Sequence, residues 1–307
     1  MTKANTPAKN QVATILAALT PAQSEAYAQT SGQLSTQDYL PVTFHDGTAE
    51  AGKSEWSSHV AANLTPQEAG ALAWVLIDTI MQVRFGPASA LYEMWRTHTL
   101  AGTKIPPAHH ETIGSFVEPV FGLPTAPKSK DHLHGHIGEW LWHLLTKDKA
   151  AVHIQPDPKG DVTDAGADGF SIYENNAGAL RFRLWESKKN TGNGRLSSSL
   201  GKAYGQIEKS GQRYVAKIVG TFMPGSHDNA TLAFIAEVPS AWAQGDGLVG
   251  AGVTLATHQP LPGKPFKKMS KKLPLFDKPG QLRGLATSIS CYDELANTVR
   301  RYAWTAL

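Results

Sequence analysis

The chain has 307 residues, of which 41% are hydrophobic and 18% are charged, and it contains a single cysteine, Cys291. This composition supports a sizeable apolar core and excludes an internal disulfide framework, which suits a reducing cytosol. The formal net charge of +3 is too small to hold nucleic acid by a global field, so any such binding must depend on local basic patches.

The N-terminal region carries helix signals but no recognisable chemistry. Its first residues, MTKANTPAKNQ, lack the apolar segment of a signal peptide, and no apolar run in the sequence is long enough to span a bilayer. We therefore expect a cytoplasmic protein that does not engage a membrane. The segments LTPAQSEAYAQ and LTPQEAGALAWVLIDTIMQVRF each place Thr at a helix N-cap and Pro at the first helical position. We predict that residues 1–130 form a helical region with a structural or partner-binding role.

Residues 131–307 alternate helical and strand-like segments, which predicts an α/β domain. The segment HIGEWLWHLLTK (136–147) is typical of a helix, another helix is expected to start near Ser198, and YDELANTVRRYAWTA is expected to close the chain as a third. Strands are predicted at 150–155, 169–174 and 180–187, in LAFIAEV (232–238) and in GVTLATH (252–258).

The segment ADGFSIYENNAGALRFRLWESKKN (167–190) predicts a β-hairpin with charges at the open end of its apolar face. A hairpin centred on Ala177 places Asp168 opposite Glu186. Because strand side chains alternate, Asp168, Glu186 and Lys188 share one face. The apolar residues of that face are Phe170, Ile172, Leu180, Phe182 and Leu184.

Two carboxylates on an apolar face are unfavourable, because burial of charge is costly and like charges repel. A divalent cation such as Mg²⁺, with Mn²⁺ as a substitute, would relieve both effects and keep water ligands for a phosphate substrate. A structural salt bridge from Lys188 to one of the acids fits the same pattern. The alternation of residues by itself leaves both interpretations open.

Asp168 followed by Glu186-x-Lys188 resembles the core motif of the PD-(D/E)XK nuclease superfamily, over about residues 136–210. The resemblance implies a restriction-endonuclease-like core, which is a central mixed β-sheet flanked by helices, here carrying a helical N-terminal addition. In that superfamily a hairpin carries the acid and the Glu-x-Lys. The resemblance thus implies a nuclease-like domain spanning 131–307.

The resemblance also implies a metal-dependent DNA endonuclease that hydrolyses phosphodiester bonds. A helix before the hairpin often supplies a Glu in this superfamily, and the helix after it often carries a Gln; Glu139 and Gln206 stand at those places. The implied ligands of Mg²⁺ are Asp168, Glu186, the Ser187 carbonyl and Glu139. Lys188 would orient the nucleophile or stabilise developing charge, and Gln206 would touch the site.

Helical periodicity places these two candidates differently. Glu139 lies opposite the apolar stripe of its helix and shares a polar face with His136 and His143, which is compatible with either a cleft or solvent. Gln206 lies beside a stripe made of Leu200, Ala203, Tyr204 and Ile207. A solvated surface is the alternative interpretation for Gln206.

Basic residues near this core predict contacts with the phosphate backbone of DNA. Lys189 and Arg195 bracket the loop KKNTGNGR, and Lys202 lies on the helix that follows. The segment GKPFKKMSKKLPLFDKP (263–279) adds Lys267, Lys268, Lys271 and Lys272. Plain solvated loops explain the same clusters.

Three segments, GHIGEWLWHLL, KGDVTDAGADGF and LWESKKN, together also resemble the nuclease subunit of Hachiman-type antiviral defence systems. That resemblance implies a separate helicase or ATPase partner. The alternatives are a type II-like restriction endonuclease and, from another class, a non-catalytic DNA-binding or assembly module that kept the nuclease fold.

Two other segments contain residue types that bind metal ions. A histidine-rich region comprises His109, His110, His132, His134, His136 and His143, with Glu111 nearby, but it lacks the H-E-x-x-H arrangement of a zinc hydrolase and any accompanying cysteine. The acidic loop at 157–169 lacks the spacing of a calcium loop. It is expected to deliver Asp168 to its strand, and Asp161 or Asp164 could add a ligand.

Overall fold

The computed structural model describes residues 9–46, 50–147, 152–158, 167–175, 178–222 and 227–307. The helices are α1 (Lys9–Ala18), α2 (Pro21–Ser31), α3 (Thr36–Tyr39), α4 (Pro66–Phe85), α5 (Ser89–Ala101), α6 (Pro107–Phe121), α7 (Lys130–Lys147), α8 (Leu196–Val219), α9 (Asn229–Gln244), α10 (Met269–Lys272) and α11 (Tyr292–Trp304). The strands are β1 (Val42–Asp46), β2 (Ser54–Ala61), β3 (Gly122–Leu123), β4 (Ala126–Pro127), β5 (Val152–Ile154), β6 (Gly169–Glu174), β7 (Leu180–Asn190), β8 (Val249–Thr257) and β9 (Leu282–Ile289).

Seven of the described strands form a mixed sheet in the order β1-β2-β9-β8-β7-β6-β5. The four central strands β2, β9, β8 and β7 run parallel, and the outer pairs are antiparallel. The predicted α/β class with a mixed sheet flanked by helices is thereby confirmed. Since the central strands are parallel, their carboxyl ends lie along one edge of the sheet, where binding residues collect in α/β proteins.

Helices cover both faces of the sheet. On one face, α1 to α7 and α11 share a core with sheet residues such as Ala256 and Leu285. On the other, α8, α9 and the segment around Phe266 pack on Phe182 and Leu184. The two N-terminal caps form as predicted, with Thr20 and Thr65 accepting hydrogen bonds and Pro at the start of α2 and α4. Within the described ranges, no helix has both the length and the apolar content to cross a membrane.

The predicted hairpin and its register are confirmed. Gly169 pairs with Trp185 and Phe170 with Leu184, the register that a hairpin centred on position 177 requires. The turn is closed by the Gly178 N–H, which donates to the Asn175 carbonyl at 2.9 Å. Gly178 has φ +73°, a left-handed conformation that glycine adopts without steric cost.

One predicted strand is wrong. LAFIAEV lies inside α9, whose buried residues Ile235, Val238, Ala241 and Trp242 recur at helical spacing. Asp228 caps this helix by accepting from the Thr231 N–H at 2.9 Å. A short apolar run does not distinguish a strand from a helix without its cap and its period.

The N-terminal region also contributes strands that the sequence interpretation missed. β1 and β2 lie before residue 130, and β2 pairs along its length with β9, from Ser54 opposite Leu282 to Ala61 opposite Ile289. The division at residue 130 stays a prediction, but the sheet contains strands from both sides of it.

Trp185 fixes β7 immediately before the acidic residues. Its ring lies on Gly252 of β8, where an added Cβ would come within 2.1 Å of the ring, and its indole N–H donates to Ser171 at 3.0 Å. We expect Gly252→Ala to lower the free energy of unfolding by about 1–3 kcal/mol through overpacking. Urea denaturation measures this change.

The matched control is Gly205→Ala. This glycine lies within α8, and an added Cβ there would meet nothing within 4 Å. A gain of about 0.5–1 kcal/mol is expected because alanine favours a helix over glycine. Equal effects of the two substitutions would contradict the packing of Trp185 on Gly252.

Candidate active site

The candidate site lies where β6 and β7 separate. β6 begins at Gly169, opposite Trp185, and the next residue outward on β7 is Glu186. Beyond this point the ladder between the two strands ends, so the Ser187 N–H needs another acceptor. It donates to Asp168 Oδ2 at 2.5 Å. The carboxylate of Asp168 therefore takes the place of a strand carbonyl and is held at the opening.

Glu186 and Lys188 project from the same face of β7 at this opening. Glu186 is fully buried, at 0% exposure. Its Oε1 accepts a hydrogen bond from the Lys188 ammonium, whose side chain is 24% exposed. The three residues that the hairpin pattern predicted to converge therefore do so, with Lys188 on the side that solvent reaches.

Glu139 joins this group from α7. Its carboxyl is close enough to Asp168, Glu186 and Lys188 for their charges to shift its pKa. The polar face predicted for α7 is not solvated, because His136 and His143 are 2% and 0% exposed. Of the two orientations left open by the sequence, the structure has Glu139 half-buried and turned toward the acidic residues.

A glycine allows α7 to approach the sheet this closely. An added Cβ at Gly138 would stand 3.3 Å from both the Ala256 Cβ and the Tyr292 hydroxyl. The helix therefore packs directly on β8. This close packing brings Glu139, the next residue of α7, toward the end of β7. Gly138 was not among the predicted site residues, although a glycine inside a helical pattern signals close packing.

Burial and mutual repulsion make the carboxyls unusually weak acids. Burial raises the pKa of Glu139 to about 8, and the charges of Asp168 and Glu186 contribute to the rise. Burial together with the Asp168 charge also raises the pKa of Glu186 to about 8. Burial raises the pKa of Asp168, although the Lys188 charge and the Ser187 N–H oppose the change. A single lysine is therefore not enough to offset the three acids.

Lys188 itself remains a cation. Burial alone would lower its pKa, but the charges of Glu186 and Asp168 raise the pKa above its ordinary value. Perturbed ionisable groups held together in this way are typical of functional sites.

One oxygen at the site is suited to a cation. Glu186 Oε2 is buried with no N–H or hydroxyl donor, and the Glu186 carboxyl lies within hydrogen-bond reach of the Asp168 carboxyl. A buried carboxylate oxygen without a donor is costly, and either a proton or a metal ion satisfies it. The N–H and C=O of a strand residue point to the same side, so the Ser187 carbonyl lies on the same edge as Asp168. The residues present thus fit a hard cation such as Mg²⁺.

Among the described residues, no group of three or more His, Cys, Asp or Glu side chains is placed to hold a metal ion. This finding covers the acids Asp168, Glu186 and Glu139 as well as the histidine-rich region, whose side chains have separate partners. His136 accepts from the Trp140 indole N–H at 2.8 Å, and His143 pairs with Asp157 at 3.0 Å. Asp161 and Asp164, the suggested extra ligands, lie outside the described residues.

The helix after the hairpin has the predicted buried stripe, formed by Leu200, Ala203, Tyr204 and Ile207. Gln206 is half-buried on α8. No described hydrogen bond joins Gln206 to the acidic residues, so its role stays a prediction.

The basic residues predicted to contact DNA differ in exposure and in pairing. Lys189 pairs with Asp131 and donates to its backbone carbonyl, on the opposite side of β7 from Lys188. Arg195 and Lys202 are exposed at the start of α8. Lys267, Lys268, Lys271 and Lys272 are exposed between β8 and β9, on a segment anchored by buried Phe266 and Met269.

Gln259 joins two loops at the carboxyl edge of the sheet, a contact that the sequence did not indicate. Gln259 Nε2 donates to the carbonyls of Gly192 and Gly194, at 2.6 and 3.1 Å, and to Asn190 Oδ1 at 3.2 Å. The loop after Lys189 is therefore bound to the loop after β8. No sequence pattern identifies Gln259, because this contact depends on the pairing of β7 with β8.

Comparison with protein-family models, with curated proteins and with solved structures finds no match to this chain.

Proposed function

We propose that this protein is a metal-dependent DNA endonuclease that hydrolyses phosphodiester bonds. The observation that carries the proposal is the convergence of Asp168, Glu186, Glu139 and Lys188 where β6 leaves β7. The order of a helix bearing Glu139, a hairpin bearing the acids and a helix bearing Gln206 agrees with the restriction-endonuclease-like core implied by the sequence resemblance.

The residues that would hold Mg²⁺ or Mn²⁺ are Asp168, Glu186 and the Ser187 carbonyl, with Glu139 beside them. The cation, when bound, would supply a water of lowered pKa and positive charge for the phosphate oxygens. Its positive charge would also offset the burial and the repulsion that raise the pKa of Glu186 and Glu139, so both carboxyls would be ionised at neutral pH.

The chain's own side chains have defined tasks in this proposal. The Ser187 N–H holds Asp168 in one orientation, so its carboxylate needs little reorganisation when substrate arrives. Lys188 keeps its proton because of the adjacent carboxylates, so its ammonium can donate to a phosphate oxygen. Glu139, ionised when the cation is bound, would be able to accept a proton as a general base.

Plasmid nicking tests the proposal. Supercoiled DNA should be converted to nicked or linear form with Mg²⁺ or Mn²⁺ and should stay intact with EDTA. Retardation of DNA in a gel without any cutting, across both metals, would instead favour the non-catalytic binding module. Cutting that persists in EDTA would contradict a metal-dependent mechanism.

From the second sequence resemblance, we propose that the nuclease acts in antiviral defence with a helicase partner. On this proposal the isolated chain cuts slowly until its partner engages DNA. Full-rate cutting by the purified chain, unchanged by a helicase encoded beside it, would contradict partner dependence and leave the endonuclease assignment in place.

A further inference from the structure

A pocket of about 480 Å³ opens on the β1–β2 side of the sheet. One wall is aromatic: Phe44 is 48% exposed and stacks on Trp56, with ring centroids 4.6 Å apart and planes at 30°. The opposite wall is the loop after β8, including His258 and residues 260–263. Serine hydroxyls from Ser58 and Ser288 also line it. Such a volume is ordinary for a small-molecule or nucleotide-sized ligand.

The pocket lies on the same face of the sheet as Glu186 and Lys188. The register runs across the strands from Lys188 to Leu255, to Ala286 and to Ser58. Paired residues project from the same face, so Ser58 and Lys188 share both a face and a row. Three strand spacings separate them by about 14 Å in a straight line. Leu255 and Ala286, which lie between them, are buried, so a strand joining the two places would pass along the carboxyl edge of the sheet.

Two loops connect the two places along the carboxyl edge of the sheet. Gln259 binds the loop after Lys189 to the loop that forms the pocket wall. Ser288, which lines the pocket, donates to the Gln259 carbonyl at 2.8 Å. A chain that leaves the acidic residues along the carboxyl edge of the sheet therefore crosses these two loops and reaches the pocket.

The distribution of charge around the pocket distinguishes a place for a base from a place for phosphates. Of the described residues that line it, none is Asp, Glu, Lys or Arg. The exposed residues Lys264, Lys267 and Lys268 follow directly after its wall. An uncharged aromatic pocket suits the flat face of a base, with serines for its polar edge, and lysines outside suit the phosphates.

Building on the proposed endonuclease function, we infer that this pocket binds an unpaired nucleobase and that the substrate is DNA with a single-stranded segment. Inside a duplex both faces of a base are stacked on its neighbours, so the base cannot lie on the exposed Phe44 ring, which packs on the buried Trp56. An unpaired base can leave the strand and stack there while the backbone continues to the acidic residues.

Binding of DNA in EDTA tests this inference without cleavage. The probe is a fluorescein-labelled single strand of about 12 nucleotides, within the site sizes of single-strand binders, and fluorescence anisotropy gives its affinity for the full-length chain. Phe44→Ala should weaken single-strand binding about 10-fold, the scale of losing one stacked base. Binding of the matching duplex should change by less than about twofold, since its contacts are to phosphates.

Val42→Ala is the matched control. Val42 is on the same strand and is 54% exposed, but a register shift between Val42 and Phe44 pairs it with His59 instead of Ser58 and turns it to the other face. This variant should bind single strands as the wild type does. Lys267→Ala should weaken single strands and duplex alike.

If Phe44→Ala binds single strands as tightly as the wild type, the inference is overturned and the pocket belongs to another occupant, such as a protein partner. Equal weakening of single strand and duplex would overturn it too. Failure of the endonuclease proposal would be distinguishable from this result. The plasmid would stay intact with Mg²⁺, while Phe44→Ala would still weaken single-strand binding in the anisotropy measurement.

Discussion

Glu186→Gln is expected to reduce metal-dependent plasmid cleavage by about 1,000-fold or more, the scale of removing an electrostatic or acid–base group. The same substitution is expected to stabilise the metal-free protein at pH 8. Glutamine keeps the size of the side chain but cannot ionise. It therefore removes a metal ligand and, at the same time, a buried charge that has no N–H or hydroxyl donor at Oε2.

The stability effect has a defined pH dependence. Burial and the Asp168 charge raise the pKa of Glu186 from its ordinary 4.5 to about 8. The folded protein thus keeps a proton that the unfolded chain releases between about pH 4.5 and 8. Stability from this group is present below pH 4.5 and is lost as pH rises through 8. Melting temperatures measured in EDTA at pH 5 and 8 should therefore fall less for Glu186→Gln than for the wild type.

Glu208→Gln provides the control, because Glu208 is exposed on α8 and its substitution should leave the pH dependence of melting unchanged. Cleavage by Glu186→Gln within about tenfold of the wild type would contradict the catalytic assignment, since one general acid–base group is worth more than this. If the melting temperature of Glu186→Gln fell more between pH 5 and 8 than that of the wild type, the raised pKa of Glu186 would be contradicted.

Lys188→Met is expected to abolish cleavage and to lower the free energy of unfolding at pH 8 by about 3–5 kcal/mol, the cost of leaving a buried charge without its partner. Lys188 donates to Glu186, which is 0% exposed. At pH 5 the loss should be smaller, because Glu186 and Glu139 are then protonated and need no cation. Urea denaturation at both pH values measures the difference.

Lys189→Met is the matched stability control on the same strand. Lys189 pairs with Asp131, whose side chain is 91% exposed, so the loss should be below about 1 kcal/mol and should vary little between the two pH values. If Lys188→Met were no more destabilising than Lys189→Met, Lys188 would not be the cation that offsets the buried acids.

The hairpin and its acidic end could be predicted because both depend on local pattern. A turn-rich link with Gly178, strict alternation on either side and a two-residue period fix which side chains share a face. Asp168, Glu186 and Lys188 are therefore brought together by about twenty consecutive residues, with no distant contact required. The caps of α2 and α4 and the stripe of α8 are local in the same way.

Other features depend on contacts between segments far apart in the chain. The apolar run in α9 was mistaken for a strand because its burial depends on α8 and on the sheet. β2 and β9 were missed because they pair with each other across most of the chain, and β1 pairs with β2. The PD-(D/E)XK resemblance did not indicate these strands, since it covers about residues 136–210 and none of them lies within that range.

Strand alternation is a short-range rule, so the residues of one hairpin are enough to bring an aspartate, a glutamate and a lysine together at its open end. The tertiary structure sets the orientation of Glu139 toward them, since it depends on how closely α7 packs on β8 at Gly138. It also decided that Phe44 and Trp56 lie on the same face as Lys188. Four parallel strands set that relation, and their order across the sheet is fixed by packing between distant segments.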